Sequence, residues 1–479
     1  MMRRPLALLL SLALAFPVPA ADLPDLGDVT ASDLSPATER RIGEQVIREI
    51  RQDPAYLDDP EVEEYVNRLG RRLAGASQNP QHDFEFFVVK DSTLNAFALP
   101  GGYIGVHTGL LLAAESESEL ASVLGHEIAH VTQRHIAQLV GKQSQSSMMM
   151  LASLLVAVLA AKSNSQVSEA AIAAGQAGAL QSQLGYSRDF ERDADRVGLQ
   201  TLEAAGFDVR GMPSFFERLQ RNGRLYENNA PAYLRTHPLT TERIADMENR
   251  ATSMRYRQVP DSPDFGYVRA RLRADAGLPT DAVRELESRV AQFPNDTAAL
   301  YGLARAQLRA GRLAEAATHL ERLRKLAEPS PFIETLTAEL ALARKDGAGA
   351  VRTLENAQAR FPTSSSLRYA IADARIRAGQ APAAAAGLRQ ALLGRGDDPR
   401  LWGLLSRANA EMGKRTAQHR AQAEVYALRG TLPAAIEQLE IARKAADGDF
   451  YELSAVDARL RELKARWQEE RRERQGERN

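Results

Sequence analysis

The stretch His126-Glu127-Ile128-Ala129-His130 decides the fold of the first half of this sequence. Residues four apart lie on one face of a helix, so both imidazoles can reach one ion. Zinc suits such a pair, because a catalytic zinc site has three protein ligands and one position open for water. Bound zinc lowers the pKa of that water, and Glu127 is placed to take its proton. The alternative is an amphipathic helix with two surface histidines, so the motif requires support elsewhere in the chain.

The helix that carries this stretch has a recognisable start. Ser116 is followed three residues later by Glu119, which is a capping box and predicts a helix over 117–139. The preceding residues show apolar side chains at helical spacing and then short strand-like segments. We predict helices over 37–53, 59–74 and 108–114, and strands over 84–89, 94–99 and 103–106.

A second, acidic stretch supplies what the histidine pair lacks. It reads Ser187-Arg188-Asp189-Phe190-Glu191-Arg192-Asp193-Ala194-Asp195, in which Glu191 and Asp195 are again four apart. On a helix one of these carboxylates can bind the metal while the other orients a ligand histidine. Three ligands beside an adjacent glutamate form an open catalytic arrangement rather than a closed structural one.

The two motifs together resemble those of the gluzincin metallopeptidases related to the CAAX prenyl-protein endopeptidases. The resemblance rests on HExxH followed by ExxxD in the setting Ser-Arg-x-x-Glu-x-x-Ala-Asp, and it covers about residues 40–250. It extends upstream to Asn95-Ala96-Phe97-Ala98 and downstream to Thr236-His237-Pro238 with Arg243. The membrane members of this family have spanning helices, which this sequence lacks, so prenylated substrates are not implied.

The resemblance assigns roles to individual residues. It implies one zinc ion per chain, with ligands His126, His130 and Glu191, general base Glu127, and Asp195 as the partner of a ligand histidine. It also implies that His237 can occupy the fourth zinc position and hold the enzyme silent, since a neutral imidazole competes with the attacking water. A hydrogen-bond donor to the transition state and a surface histidine are the alternatives for His237.

Other residues near these motifs have weaker signals. Asn95, Ala96, Phe97 and Ala98 are the candidate edge strand to which an extended substrate adds, with an ordinary core strand as the alternative. We expect Arg188 and Arg243 to hold acidic ligands in place rather than to catalyse. His107 and His135 have no partner at ligand spacing, and we expect them to be solvated or capping groups.

An apolar segment over 148–161 lies between the two halves of the site. Its fourteen residues are too few for a standard spanning helix, so it is either a buried helix, which we favour, or a flap over the cleft. The resemblance links this region to substrate gating and to contact with the outer-membrane machinery.

The amino terminus is typical of an export signal. Met1-Met2-Arg3-Arg4-Pro5 is followed by an apolar run over 6–16 and small residues, which predicts cleavage after Ala20. An uncleaved anchor is the alternative, but the apolar run is shorter than the roughly twenty residues that span a bilayer. The sequence has no cysteine for a lipid anchor or a disulfide, and its net charge of -1 gives no field for nucleic acid. We predict a periplasmic protein without a stable transmembrane anchor.

From about residue 262 the sequence becomes rich in alanine, leucine and arginine and shows an internal period. Gly277, Gly311, Gly379 and Gly413 are separated by multiples of 34, and Gly347 lies close to the missing member. This period resembles the tetratricopeptide repeat, with two antiparallel helices per unit. We predict four to five units stacked into a solenoid, whose concave face commonly binds a peptide or a partner protein.

The sequence therefore predicts a mainly α protein, with a zincin-type metalloprotease domain that contains a small β-sheet, followed by an α-solenoid of tetratricopeptide repeats. We place the signal at 1–20, the protease domain at 21–260, the repeats at 261–465 and a charged tail at 466–479. Export together with repeats implies, within the family, substrates among outer-membrane β-barrel proteins, contact of the repeats with the assembly machinery and an additional chaperone role. The alternative is a repeat-based adaptor or chaperone whose metal site is mostly latched.

Overall fold

The computed structural model describes residues 35–80, 82–140, 188–224 and 232–476. The predicted export signal, the apolar segment over 148–161 and the last three residues of the predicted charged tail lie outside these ranges. Among the helices in these ranges, none combines the length and the hydropathy that crossing a membrane requires.

The first half of the chain combines helices with one small sheet. Two helices, α1 and α2, each begin with a proline after a side-chain N-cap, Ser35 and Asp59 respectively. The elements of this half are α1 Pro36–Ile50, α2 Pro60–Gly75, β1 Glu85–Val89, β2 Ala96–Leu99, β3 Tyr103–His107, α3 Thr108–Ala113, α4 Glu117–Thr132, α5 His135–Val140, α6 Arg188–Ala204, α7 Gly211–Arg224, α8 Ala232–Thr236 and α9 Thr241–Ser253.

The sheet is mixed and has three strands in the order β1-β3-β2. Strand β1 pairs with β3 in parallel, and β2 pairs with β3 in antiparallel register with Ala96 opposite Val106. The turn between β2 and β3 needs positive φ at Gly101 and Gly102, with values of 76° and 88°, which glycine adopts without steric cost. Strand β2 thus lies at one edge of the sheet.

Helix α4 crosses the centre of this half and is buried along almost its whole length. Ser116 caps it by accepting from the amide of Glu119, as the sequence predicts, at 3.2 Å. The Glu119 carboxylate accepts from the amide of Glu115, at 2.6 Å, and binds Arg218.

The prediction of one continuous helix to residue 139 is wrong. Helix α4 ends at Thr132, and Arg134 has a φ of 54° that reverses the chain direction before α5 begins at His135. Positive φ is costly for a residue with a side chain, and the guanidinium of Arg134 is held by the carboxylate of Glu39 on α1 at 2.7 Å.

The contact between α4 and α6 is close because each helix has a glycine at the crossing. A Cβ on Gly198 would lie 3.0 Å from the backbone nitrogen of His126, and one on Gly125 would lie 3.2 Å from the carbonyl oxygen of Gly198. The backbones of the two motif-bearing helices therefore approach each other, which brings their polar side chains within reach of one point.

The second half of the chain is entirely helical in the described range 263–476. Its helices are α10 Pro263–Asp275, α11 Pro279–Gln292, α12 Thr297–Arg309, α13 Leu313–Leu326, α14 Pro331–Ala343, α15 Gly347–Arg360, α16 Ser365–Arg377, α17 Ala381–Leu392, α18 Pro399–Glu411, α19 Arg415–Leu428, α20 Leu432–Lys444 and α21 Phe450–Gly476. Within this range they form six consecutive pairs, where the sequence predicts four to five units. A mainly α fold, with a small sheet in the first half and helical repeats in the second, is confirmed.

The 34-residue period has a conformational basis. Gly277, Gly311, Gly379 and Gly413 all have positive φ, between 53° and 75°, at the turn between the two helices of a pair. The missing member of the series is Lys345, which has a φ of 66° and lies close to Gly347. The first five pairs thus have a left-handed residue at the same point, and the third pair adopts it without glycine.

The helical repeats fold back onto the first half of the chain. Arg400 at the start of α18 binds Asp58 and Glu63 at 2.6 Å each, and the amide of Ser366 donates to Glu64 at 2.7 Å. Arg271 on α10 is buried and contacts Asp59 at 2.6 Å. Several repeats therefore contact the α2 region of the first half.

The first repeat helix and α4 also cap each other. The Glu117 carboxylate at the start of α4 accepts from the Ser262 hydroxyl at 2.6 Å, its amide at 3.1 Å and the Tyr65 hydroxyl at 2.9 Å. In return, Asp261 accepts from the amide of Glu117 at 2.7 Å. The start of the repeat domain is thereby fixed to the helix that carries the histidine pair.

Candidate metal centre

Four buried side chains from three elements converge beside the middle of α4. They are His126 and His130 from α4, Glu191 from α6 and His237 from the segment after α8, and each is at most 2% exposed. One potential ligand atom from each lies within 4.8 Å of the others. The two α4 imidazoles present their Nε2 atoms to each other at 3.0 Å, as their four-residue spacing predicts.

The distances between these atoms match what a tetrahedral metal requires. His126 Nε2 lies 3.4 Å from His237 Nδ1 and 3.6 Å from Glu191 Oε2, and His130 Nε2 lies 3.5 Å from Glu191 Oε1. Ligand atoms about 2.0–2.1 Å from one ion at tetrahedral angles are about 3.3–3.4 Å apart. Three imidazoles and a carboxylate in a buried cluster would otherwise leave lone pairs facing one another, so the donor set fits a divalent cation.

Asp195 and Arg243 support this cluster from the side. Asp195 Oδ1 lies 3.1 Å from His126 Nδ1, so this carboxylate can orient the imidazole by accepting its Nδ1 proton. Arg243 donates to both oxygens of Asp195, at 2.7 and 2.8 Å, and lies 2.7 Å from Glu191 Oε2. One buried guanidinium thus holds both carboxylates of the ExxxD motif, in the structural role expected for Arg243.

The pKa values of Glu127, beside the cluster, and Glu191, within it, are shifted in opposite directions. Burial raises the pKa of Glu127, although the neighbouring His237 and His126 partly oppose it. Burial also acts to raise the pKa of Glu191, but the imidazoles of His237 and His130 hold it well below its usual range. The Glu191 carboxyl is therefore ionised, while Glu127 has the raised pKa that suits a general base.

Tyr233 and His237 lie on the same side of this cluster. His237 Nε2 lies 3.5 Å from Glu127 Oε1, and its Nδ1 lies 2.9 Å from Glu191 Oε1. The Tyr233 ring stacks on the His237 ring with centroids 4.6 Å apart. The Tyr233 amide donates to the carbonyl oxygen of Leu94 at 3.1 Å, which ties this segment to the start of β2.

Some residues are not where the sequence reasoning placed them. His107 and His135 are 3% and 2% exposed, so the expectation that they are solvated is wrong. His107 contacts Thr93 Oγ1 at 2.9 Å and makes no side-chain capping bond to α3. Arg188 is exposed at the start of α6. Of the two arginines, it is Arg243 that holds the carboxylates of Asp195 and Glu191.

The candidate edge strand lies next to the cluster. Asn95 precedes β2, and its carbonyl oxygen accepts from the amide of His107 at 3.0 Å. Phe97 and Ala98 are half-buried, and the backbone amide of Ala98 acts to lower the pKa of Glu127. Strand β2 is thus both an edge of the sheet and a neighbour of the α4 glutamate.

Sequence reasoning missed Tyr233 and the contact of His135 with the cluster. Tyr233 lies four residues before His237 on a helical segment, so the shared face was a usable signal. No such signal existed for His135, because its position depends on the reversal at Arg134.

The chain matches known proteins over nearly its whole length. The model of peptidase family M48 matches residues 60–251, and that of the tetratricopeptide repeat matches residues 273–340 and 341–408. The β-barrel assembly-enhancing protease of Escherichia coli strain K12 is 33% identical over 456 residues, which are 94% of this chain and 93% of that protein.

Two further relatives match in part. A putative β-barrel assembly-enhancing protease of Vibrio cholerae serotype O1 is 42% identical over 262 residues, 54% of each chain. A mitochondrial metalloendopeptidase of Arabidopsis thaliana is 32% identical over 198 residues, 41% of this chain and 38% of that protein. The match to the Arabidopsis protein covers less than half of either chain, whereas the Escherichia coli protein also matches through the repeats. This chain therefore belongs to the β-barrel assembly-enhancing proteases, metallopeptidases of family M48 that carry tetratricopeptide repeats.

Proposed function

We propose that this chain is a zinc-dependent endopeptidase of the periplasm that acts on outer-membrane β-barrel proteins. The observation that carries the proposal is the convergence of His126, His130 and Glu191 within 4.8 Å beside a buried Glu127. The names of the near-full-length relatives support the class of client. The exposed strand edges of a misassembled barrel are suitable substrates, because they present unpaired backbone groups.

In this proposal His126, His130 and Glu191 hold one zinc ion, and Asp195 fixes the ring of His126. When bound, zinc supplies a water of lowered pKa and an electrophile for the scissile carbonyl. Glu127 takes the proton of the attacking water and passes it to the leaving amine, a role supported by the raised pKa that burial gives it. Arg243 keeps Asp195 and Glu191 in place throughout.

Strand β2 is the proposed binding strand for the substrate. A peptide that pairs with the free side of Ala96–Leu99 extends the three-stranded sheet by one strand. The backbone amide of Ala98 is close enough to Glu127 to lower its pKa, so a peptide bound along β2 would have a scissile bond near the general base. Asn95, Ala96, Phe97 and Ala98 are accordingly assigned to substrate binding.

The central test is Glu127→Gln. We expect proteolysis of an unfolded protein substrate to fall by about 10²–10⁴-fold, while one zinc per chain is retained, because the amide cannot take a proton. Glu203→Gln, an exposed change on α6, is the matched control and should leave the rate unchanged. Zinc content is measured by elemental analysis, and unchanged proteolysis in the Glu127 variant would refute the assignment.

We further propose that His237 is a removable fourth ligand that keeps the resting site closed. Its Nδ1 lies 3.4 Å from His126 Nε2 and 2.9 Å from Glu191 Oε1, which supports this role. His237→Ala should then raise proteolysis. A sharp fall in activity with zinc retained would instead make His237 a donor to the transition state.

A second candidate function is favoured by the same closed arrangement. With His237 in the cluster, the chain acts mainly as an adaptor or chaperone, and its repeats contact the outer-membrane assembly machinery. The two functions separate in cells that lack the wild-type protein. Restoration of barrel assembly by Glu127→Gln favours the chaperone, and loss of assembly in that variant favours the protease.

We also propose a cellular location and domain boundaries for this chain. We assign 1–20 to a cleaved export signal, 21–260 to the protease domain, 261–465 to the repeats and 466–479 to the tail. Mass spectrometry of the exported protein should give Ala21 as the first residue, and a periplasmic fraction should contain it.

A further inference from the structure

A fourth buried histidine contacts the cluster through His130. His135, the first residue of α5, is 2% exposed, and its Nδ1 lies 3.0 Å from Nδ1 of His130. The reversal at Arg134 produces this contact, because α4 ends at Thr132 and the chain turns back before α5. Had α4 continued, His135 would lie about 140° around the helix from His130, five residues at about 100° each.

The position of His135 is fixed by two residues of α6. Its ring stacks on Phe190, with centroids 4.5 Å apart and planes 15° from parallel. Its Nε2 lies 3.6 Å from Oδ2 of Asp193, a carboxylate that is also bound by Arg196. Phe190 and Asp193 flank Glu191 in sequence, so the same helix supplies a candidate ligand and the setting of His135.

The directions of the hydrogen bonds follow from the chemistry of His130. Its Nε2 faces the cluster and must offer a lone pair to a metal, so the ring proton is on Nδ1. Nδ1 of His135 lies 3.0 Å from this protonated nitrogen and therefore accepts its proton in a hydrogen bond. The proton of His135 is then on Nε2, which faces Asp193.

We infer that His135 is a positioning residue that fixes the ring and tautomer of His130 and, with Asp193, raises its basicity as a metal ligand. The inference rests on the proposed assignment of His130 as a ligand. The two histidines of α4 are thus oriented by different groups: His126 contacts the carboxylate of Asp195 directly at 3.1 Å, and His130 reaches a carboxylate through a second imidazole. Partners of this kind are worth about 10–100-fold in metal affinity or activity.

The test compares two substitutions of His135 in the full chain. His135→Phe keeps a ring that can stack on Phe190 but removes the acceptor, and His135→Asn places an amide oxygen near the position of Nδ1. We expect His135→Phe to weaken Zn²⁺ binding by about 10–100-fold in chelator competition, and His135→Asn to recover most of that loss. The absorption spectrum of the Co²⁺-loaded protein should shift in His135→Phe, because the His130 ring is no longer fixed.

Two further variants keep the result interpretable. Phe190→Leu removes the stacking but not the acceptor, so it should leave the Co²⁺ spectrum closer to wild type than His135→Phe does. Asp193→Asn should weaken Zn²⁺ binding less than His135→Phe, since its contact is longer, and it serves if His135→Phe does not fold.

The outcomes separate the inference from the proposed function. If the wild type binds Zn²⁺ and His126→Ala does not, but His135→Phe binds as tightly as the wild type, the positioning role is overturned and the proposed function stands. Equal loss in His135→Phe and His135→Asn also overturns it, because the acceptor then has no part. A wild type without a bound metal overturns both.

Discussion

Arg243 allows the electrostatics of the cluster to be tested apart from catalysis. The guanidinium is 3% exposed and contacts Asp195 at 2.7 and 2.8 Å and Glu191 Oε2 at 2.7 Å. Arg243→Met keeps a long unbranched side chain but removes the charge, which leaves two buried carboxylates without their cation. Breaking a buried ion pair by removing one partner costs about 3–5 kcal/mol.

That cost should be visible in the melting temperature. One kcal/mol moves Tm by about 2–4 °C in a domain of 150–250 residues, so we expect Arg243→Met to lower it by about 6–20 °C in metal-free protein. The loss should be smaller in zinc-loaded protein, because a divalent cation beside Glu191 compensates part of the exposed charge. The assay is differential scanning calorimetry before and after removal of the metal with a chelator.

Arg192→Met is the matched control, because Arg192 joins the same two helices at their exposed side. It contacts Glu242 at 2.7 Å, with side chains 47% and 72% exposed, and such surface pairs contribute about 0–1 kcal/mol. If metal-free Arg243→Met melts within about 3 °C of Arg192→Met, the reasoning about buried charge is refuted.

Three further predictions concern the frame around the cluster. Burial, opposed by Arg271, raises the pKa of Glu61 to about 8. The protonated Glu61 carboxyl therefore contributes its full stabilisation below the pKa of about 4.5 that it has in the unfolded chain, and this contribution is lost as pH rises through about 8. Glu61→Gln should flatten the dependence of Tm on pH in that window, and an unchanged profile would contradict this. Gly198→Ala should weaken Zn²⁺ binding, whereas Gly75→Ala, where a Cβ meets nothing within 4 Å, should not. Glu117→Ala should lower the free energy of unfolding by about 1–3 kcal/mol, because it leaves buried donors unpaired. Calorimetry should then resolve separate transitions for the two domains. A single transition at the wild-type temperature contradicts the proposed coupling.

Much of the architecture could be predicted because it depends on local periodicity. The four-residue spacing of His126 and His130 places both rings on one face of any helix, and the turns of the first five repeats have a left-handed residue every 34 positions. The sequence-based predictions failed where the chain departs from this local periodicity. Lys345 takes the left-handed conformation without being glycine, and α4 ends at Thr132 although no glycine or proline follows it at once.

The sequence by itself determined the two helical motifs, the order of the domains and the repeat, since these follow from side chains close together in the chain. Only the tertiary structure decided how the motifs meet. The glycines at the α4–α6 crossing, the reversal at Arg134 and the return of His237 assemble the cluster, in which His126 and His237 lie 3.4 Å apart although 111 positions separate them in sequence. The physical reason is that a polar group buried by packing must find its partner wherever the chain passes. This is why Arg243 and His135 acquire their roles from contacts that local periodicity cannot encode.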